Sequence, residues 1–315
     1  MNRTSTAALG LVCILLLAVV FAPLPGSTVG IRTLHDFAHA PIFGCIALLL
    51  LLALRSIPRL DRLPWQRHYS LTCIVASVLG GLTELAQIPA GRDSSWLDLR
   101  SDVMGAAAFL ALFSLFDPRI RRASIRVAGV FVGVALLVLH SLPLAIAWLA
   151  YERRADAFPV LADYTRAADL YFVEQQRSAA QLVSMPAEWA RSPDERALQV
   201  SFGAGAWPGL NFFEPAPDWR GHATLVLDIT NPTDEALHLG FRVHDRRHNW
   251  TMTDRFNRDL SVAPRTRMVV RVPLTEIAAA PLARTLELRN VAAVMLFRLA
   301  DSTAPRMYVS RLALE

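Results

Sequence analysis

Residues Thr83–Gly105 read TELAQIPAGRDSSWLDLRSDVMG, a charged stretch with apolar runs closing in on both sides. It carries Glu84, Arg92, Asp93, Asp98, Arg100 and Asp102. A solvated turn accounts for Arg92 to Arg100. It does not account for Glu84 and Gln87 before the turn, or Asp102 after it, inside segments with the composition of membrane spans. Ionisable groups in such segments are costly unless they are paired or face water, so a functional site is the default reading.

Composition supports that frame. The chain has 315 residues, 53% of them hydrophobic, and a mean hydropathy of +0.34. The apolar excess lies in residues 7–150, whereas 151–315 read as an ordinary soluble domain, so the chain divides into a membrane half and a globular half. All 32 basic residues are arginine, which with abundant alanine points to a GC-rich bacterial genome. The net charge of +5 therefore says little about partners, and no nucleic-acid partner is expected. Cys13, Cys45 and Cys73 all lie in apolar runs, which reads as buried thiols and no disulfide framework.

A spanning helix needs about 20 mostly apolar residues. Five runs qualify, at 7–25, 36–54, 69–89, 101–117 and 126–149. The first has some features of a cleaved signal peptide, but the next apolar run follows almost at once, and an uncleaved span closes the topology. The connections at 55–68, with Arg55, Arg59, Arg62 and Arg67, and at 117–126, with Arg119, Arg121, Arg122 and Arg126, hold the arginine excess. Both should be cytoplasmic by the positive-inside bias. The N-terminus is then inside, and residues 151–315 lie on the outer face.

This topology brings three helix ends to one surface. Glu84 and Gln87 share a helical face at the outer end of the third span, and Asp98 and Asp102 share one at the start of the fourth. His35, Asp36 and His39 enter the second span from the same side. Taken singly, the aspartates could merely cap a helix N-terminus and Glu84 could pair with Arg92. Their convergence on one leaflet favours a shared pocket.

The string Glu84-x-x-Gln87, then Arg92, Asp98, Asp102 and Gly105, resembles the second signature of the VanZ-like membrane family. The segment HDFAHAPIFG resembles its first, with His39 and Phe43 at the histidine and aromatic positions. The likeness covers about residues 5–117. Asp36 stands where the family tends to have Lys, His35 where it has Asp, and Asp102 where Asn is usual, which makes this pocket more acidic. The resemblance implies a membrane location and a link to glycopeptide resistance; it implies no defined chemistry.

Two classes of function fit the cluster. In the first, Glu84 or Asp98 is a general acid or base, His39 shuttles protons, and Arg92 holds an anionic group, with Gln87 and Asp102 completing the catalytic set. A variant has His39, Glu84, Asp98 and Asp102 holding a divalent cation, although no compact ligand motif supports it, and no metal or cofactor is assigned. In the second, the cluster is a non-catalytic binding pocket or a helix-packing network. Whether the protein is an enzyme is left undecided by the sequence.

From 155 onward the chain alternates. Residues 197–202, 209–213, 222–230, 236–245, 265–274, 290–299 and 306–315 read as strands, short, rich in β-branched and aromatic residues and parted by turns such as NPTDE. Seven or more such strands predict an antiparallel β-sandwich of the jelly-roll kind. The 164–190 segment fits a short helix or early strands. DWRGHATLVLDITNP, FRVHDRRHNWTMTDRFNRDLSV, VPLTEI and the terminal RLALE resemble, in that order, the carbohydrate-binding, galactose-binding-like sandwich domains, with Ser310 where an Asp is common. A sugar site needs an aromatic platform and polar readers. The candidates are Trp207, Trp219 and Trp250 for stacking and Asp245, His248, Asn249, Asp254 and Arg255 for hydroxyls.

The expectation is thus a membrane all-α bundle of five transmembrane helices followed by an all-β sandwich. Residues 1–120 form the VanZ-like part, 121–154 a fifth span and linker, and 155–315 an extracytoplasmic sandwich. Such a protein sits in a bacterial inner membrane, contacts membrane lipids, and binds, or binds and modifies, an envelope glycan or lipid-linked polysaccharide. The alternative is a non-enzymatic glycan-binding scaffold or antibiotic-response protein. No nucleotide-binding loop is present, which argues against an ATP-driven transporter.

Overall fold

The computed structural model describes residues 3–21, 28–88, 95–216 and 218–315. The chain divides into two compact units, Met1–Trp148 and Leu149–Glu315.

The first unit is helical: α1 (Arg3–Phe21), α2 (Val29–Arg55), the short α3 (Pro58–Asp61), α4 (Trp65–Gln87), α5 (Trp96–Phe113) and most of α6 (Ala123–Ala157). Local sequence sets the helix starts. The Thr28 hydroxyl accepts from the Ile31 amide at 3.2 Å to begin α2, and the Ser95 hydroxyl accepts from the Asp98 amide at 3.3 Å to begin α5. Phe43, Ile46, Leu51, Ala76, Ala106 and Leu110 form the shared interior. The helices α2 and α5 touch at Gly105, where an added Cβ would lie 2.5 Å from the Ala40 Cα.

Among the described residues, three helices, α2, α4 and α6, are long and apolar enough to cross a membrane. Five spans were expected, and the difference has a physical reason. Asp98, Arg100 and Asp102 dilute the apolar character of α5, and the described part of the α1 apolar run, Thr6–Val19, is shorter than a full span. Large apolar side chains such as Ile74, Leu85 and Phe131 point outward from the helices, as hydrocarbon-facing residues do. Cys13 and Cys45 are likewise exposed rather than buried.

Opposite the polar cluster, the two arginine-rich connections are tied together. Arg55 pairs with the fully buried Asp117, which also accepts from Tyr69 Oη at 3.1 Å. Arg119 pairs with Asp61 at 2.5 Å, and Arg126 Nε donates to the Ile120 carbonyl at 2.7 Å. Some of the arginine read as a topology marker is therefore also architectural.

The second unit carries eleven strands: β1 (Val160–Ala162), β2 (Val173–Gln176), β3 (Ser178–Ser184), β4 (Arg196–Phe202), β5 (Gly209–Phe213), β6 (Thr224–Asn231), β7 (Leu237–Asp245), β8 (Phe256–Val262), β9 (Thr266–Pro273), β10 (Val291–Arg298) and β11 (Arg306–Leu314). They form two antiparallel sheets. One has the order β3-β4-β11-β6-β9, with β1 added on β11; the other has the order β2-β5-β10-β7-β8. The seven expected strands correspond to β4–β7 and β9–β11. The 164–190 segment holds β2 and β3, and α7 (Leu274–Ala279) covers most of VPLTEI. Between the sheets lies one core that includes Leu198, Trp219, Leu227, Phe241, Leu296 and Val309. Alternation explains it: on β7, Leu239, Phe241 and Val243 face inward while Arg242 and His244 face away.

Candidate functional site

In the helical unit, three helices bring His39, Glu84 and Asp102 together, at 2%, 5% and 0% exposure. His39 Nδ1 lies 2.9 Å from Asp102 Oδ1. The three side chains can each offer one ligand atom within 4.8 Å of the others. Glu84 Oε2 accepts from the Ser95 amide at 2.7 Å, which ties the end of α4 to the start of α5. Gln87 is buried and donates to the Val19 carbonyl at 3.4 Å. Asp98 lies one turn before Asp102, at the edge of the cluster and nearly buried. Arg92 falls outside the described residues. His35 stacks edge-on against His39, ring centroids 5.2 Å apart, and its Nδ1 lies 3.6 Å from Asp36.

In the sandwich, the predicted sugar readers separate into two groups. Trp219 is fully enclosed, with Nε1 donating to the Pro215 carbonyl at 3.3 Å, so it presents no face for stacking. Asp245 and Asp254 are also buried, and one guanidinium serves both. Arg284 donates to Asp245 at 2.5 and 2.8 Å and to Asp254 at 2.5 and 3.1 Å. Asn249 accepts from the Thr251 amide at 3.0 Å and closes a turn, and His248 Nδ1 donates to the Asp254 carbonyl at 3.1 Å. These residues build the β7–β8 connection, and their polar atoms are engaged there, apart from His248 Nε2, which has no hydrogen-bond partner among the described residues.

That ion cluster gives a pH signature. The Arg284 pair and the Asn249 amide hold the Asp254 carboxyl down at about 2. Burial would raise Asp245, but Arg284 and the Glu287 and Arg247 amides outweigh it and hold its carboxyl below the ordinary range. Depressed carboxyls contribute stability that is present above their unfolded pKa and lost as pH falls through the folded value. Thermal melts should therefore show the sandwich weakening from about pH 4 down to about pH 2. In Arg284→Met the slope should reverse, because two facing buried carboxylates then favour protonation.

The outward face of the β2-β5-β10-β7-β8 sheet holds a groove of about 390 Å³ lined by Trp207, Arg242, Met252, Arg255, Asn257 and Phe297, among others. Phe297 sits opposite Gly209 on one neighbouring strand and Gly240 on the other. A Cβ at Gly240 would strike the Phe297 ring, so glycine there lets the ring lie against the sheet. Trp207 meets Phe297 edge-on at 5.5 Å and is 53% exposed. Arg242 lies with its guanidinium carbon 5.0 Å from the Phe297 centroid. Its Nε has no hydrogen-bond partner among the described residues. Burial, and then the charge of Arg255, push the Arg242 pKa down to about 10. Burial also lowers Arg255, whose Nε donates to Asn257 at 3.0 Å. Neither arginine has a carboxylate partner among the described residues.

Trp207 and Trp250 both hold left-handed backbone, at φ 59° and 68°. For bulky residues such conformations cost on the order of 1–3 kcal/mol and mark positions that the surrounding structure enforces. Trp250 is 81% exposed and packs near His244 and His248, at 6.0 and 5.4 Å between centroids. Of the expected readers, the structure thus brings Trp207 and Arg255 to the groove and leaves Trp250 outside its lining. Arg242, Met252, Asn257 and Phe297 were missed. Strict alternation along β7 and β10 was the signal that could have found Arg242 and Phe297.

No family model and no curated protein matches the sequence. Among solved structures, the chain is similar to a family 11 carbohydrate-binding module from Clostridium thermocellum in complex with a β-1,3-1,4-mixed-linked tetrasaccharide. The identity is 13%, the TM-score 0.38, and the match covers 49% of this chain and 93% of that one. It is similar to an exo-β-agarase at 12% identity and TM-score 0.39, over 46% of this chain and 23% of that one. It is also similar to the CBM22-1 xylan-binding domain from Paenibacillus barcinonensis, at 12% identity and TM-score 0.34, over 49% and 94%. At such scores the likeness carries no argument about function, and the sandwich stands on its own strand pairing.

Proposed function

We propose that this chain is an integral protein of a bacterial inner membrane whose extracytoplasmic sandwich binds an envelope glycan or lipid-linked polysaccharide. The observation that carries this reading is the groove, where exposed Trp207 meets the largely buried Phe297 ring beside two arginines that have no carboxylate partner among the described residues. An aromatic face suits the apolar face of a sugar ring. A partly buried guanidinium without a carboxylate partner among the described residues suits a hydroxyl or, better, an acidic group of the sugar.

In this reading α1 and α5 join α2 and α4 in a four-helix, VanZ-like bundle, and α6 is the fifth span. The charges of α5 then face the interior, where Asp98 and Asp102 are buried. The arginine-rich ends at Arg55 and Arg119 face the cytoplasm. Reporter fusions after Arg62, Arg122 and Glu315 test this orientation: the first two should report cytoplasm and the last the outer side, and a cytoplasmic Glu315 would overturn it.

The binding test is a glycan array probed with the full-length protein in detergent micelles. Retention of acidic envelope glycans is expected. Trp207→Ala or Arg242→Gln should each weaken retention by about 10-fold or more, the order of a lost stacking or charge-assisted contact of ~1.5–3 kcal/mol. Retention of no glycan would sink the proposal.

A further inference from the structure

The polar cluster in the helical unit is separate from the groove and carries its own chemistry. His39 Nε2, Glu84 Oε1 and Asp102 Oδ2 are buried and have no hydrogen-bond partner among the described residues. A buried polar atom left unsatisfied costs about 1–3 kcal/mol, and more when charged. Three of them within one cluster, on side chains at most 5% exposed, is a cluster lacking a component. Charge gives the same sign. Glu84 and Asp102 bring two carboxylates into an apolar bundle, and no arginine among the described residues pairs with either. Two buried carboxylates facing a single imidazole are costly in an apolar bundle unless further positive charge is supplied.

From this convergence we infer that His39, Glu84 and Asp102 hold a divalent cation of the zinc or manganese class. One imidazole nitrogen and two carboxylate oxygens suit those ions by ligand type. Two carboxylates and a neutral imidazole also balance a charge of +2. One ligand atom from each of the three side chains lies within 4.8 Å of the others, a cluster small enough for one ion to reach all three. Three protein ligands leave a further coordination position for water or another oxygen donor, the arrangement of reactive rather than purely structural metal sites. The ligands come from α2, α4 and α5, so the ion would also pin three helices together. This inference does not depend on glycan binding.

Metal content decides it. The full-length protein in detergent is stripped with a chelator, given excess Zn²⁺ or Mn²⁺, desalted and assayed by elemental mass spectrometry. About one ion per chain is expected for one of the two metals, together with a rise in the melting temperature of the helical unit. His39→Gln and Glu84→Gln should retain at least roughly 10-fold less metal, with no metal-dependent rise. Trp250→Ala, in the other unit, should retain as much as the parent protein. Should His39→Gln fail to fold, Glu84→Gln decides alone, because its amide oxygen can still accept from Ser95. No ion retained by the parent protein, or equal retention by Glu84→Gln, overturns the inference.

Discussion

Gly105→Ala is expected to abolish the native packing of the helical unit. The new Cβ would lie 2.5 Å from the Ala40 Cα and 2.6 Å from its carbonyl carbon, and both are backbone atoms that no rotamer change can move. Overpacking against side chains typically costs about 1–3 kcal/mol. Here α2 and α5 must part along their length, so the loss should exceed that. The sharper consequence is chemical. Ala40 follows His39, and Gly105 lies on the face of Asp102, so parting the helices breaks the 2.9 Å contact between His39 and Asp102. Size-exclusion profiles and melting curves of detergent-solubilised protein should show loss of a single folded species. A monodisperse Gly105→Ala protein with the parental melting temperature would contradict the packing described above.

The second large effect lies in the sandwich and separates tryptophans that composition alone treats alike. Trp219→Ala removes a fully buried side chain from the core between the sheets. Substitutions of this kind cost about 3–5 kcal/mol. For a unit of this size the melting temperature should fall by roughly 6–20 °C. Trp207→Ala removes a half-exposed ring from the groove and should leave the melting temperature within a few degrees of the parent. Calorimetry on the two variants should therefore show a core residue and a surface platform, and a Trp219→Ala protein as stable as Trp207→Ala would be inconsistent with the core.

Much of this was legible in the sequence, and the limits have identifiable causes. Helical spacing and arginine bias were enough to gather His39, Glu84, Gln87, Asp98 and Asp102 on one side, and the structure brings His39, Glu84 and Asp102 into contact range. The sequence could not show that their free atoms converge, because the three come from separate helices and form no compact motif. Hydropathy placed a span at 101–117, but α5 begins at Trp96, and its first turns carry the charges that leave it short of a span by composition. In the sandwich, strand alternation marked seven of eleven strands. It missed β1, too short to show a period, and β8, whose Asn257, Arg258 and Asp259 mask the pattern. The sugar readers were harder. Asp245 and Asp254 have the composition of a ligand site, but Arg284, some 30 to 39 residues away in the chain, neutralises both. Trp219 and Trp207 differ only in which face of the fold they meet, and that is fixed by tertiary packing rather than by local pattern. Phe297 became part of the groove because Gly240, on the adjacent strand, leaves room for its ring.

The central claim is that the groove under Trp207 binds sugar. Isothermal titration of the full-length protein with the acidic oligosaccharide best retained on the array tests it most directly. The expected result is saturable binding that Trp207→Ala and Arg242→Gln each weaken by about 10-fold or more, while Trp250→Ala, outside the groove, changes it by less than about 3-fold. Binding that survives unchanged in Trp207→Ala and Arg242→Gln, or no binding to any oligosaccharide, would contradict the account.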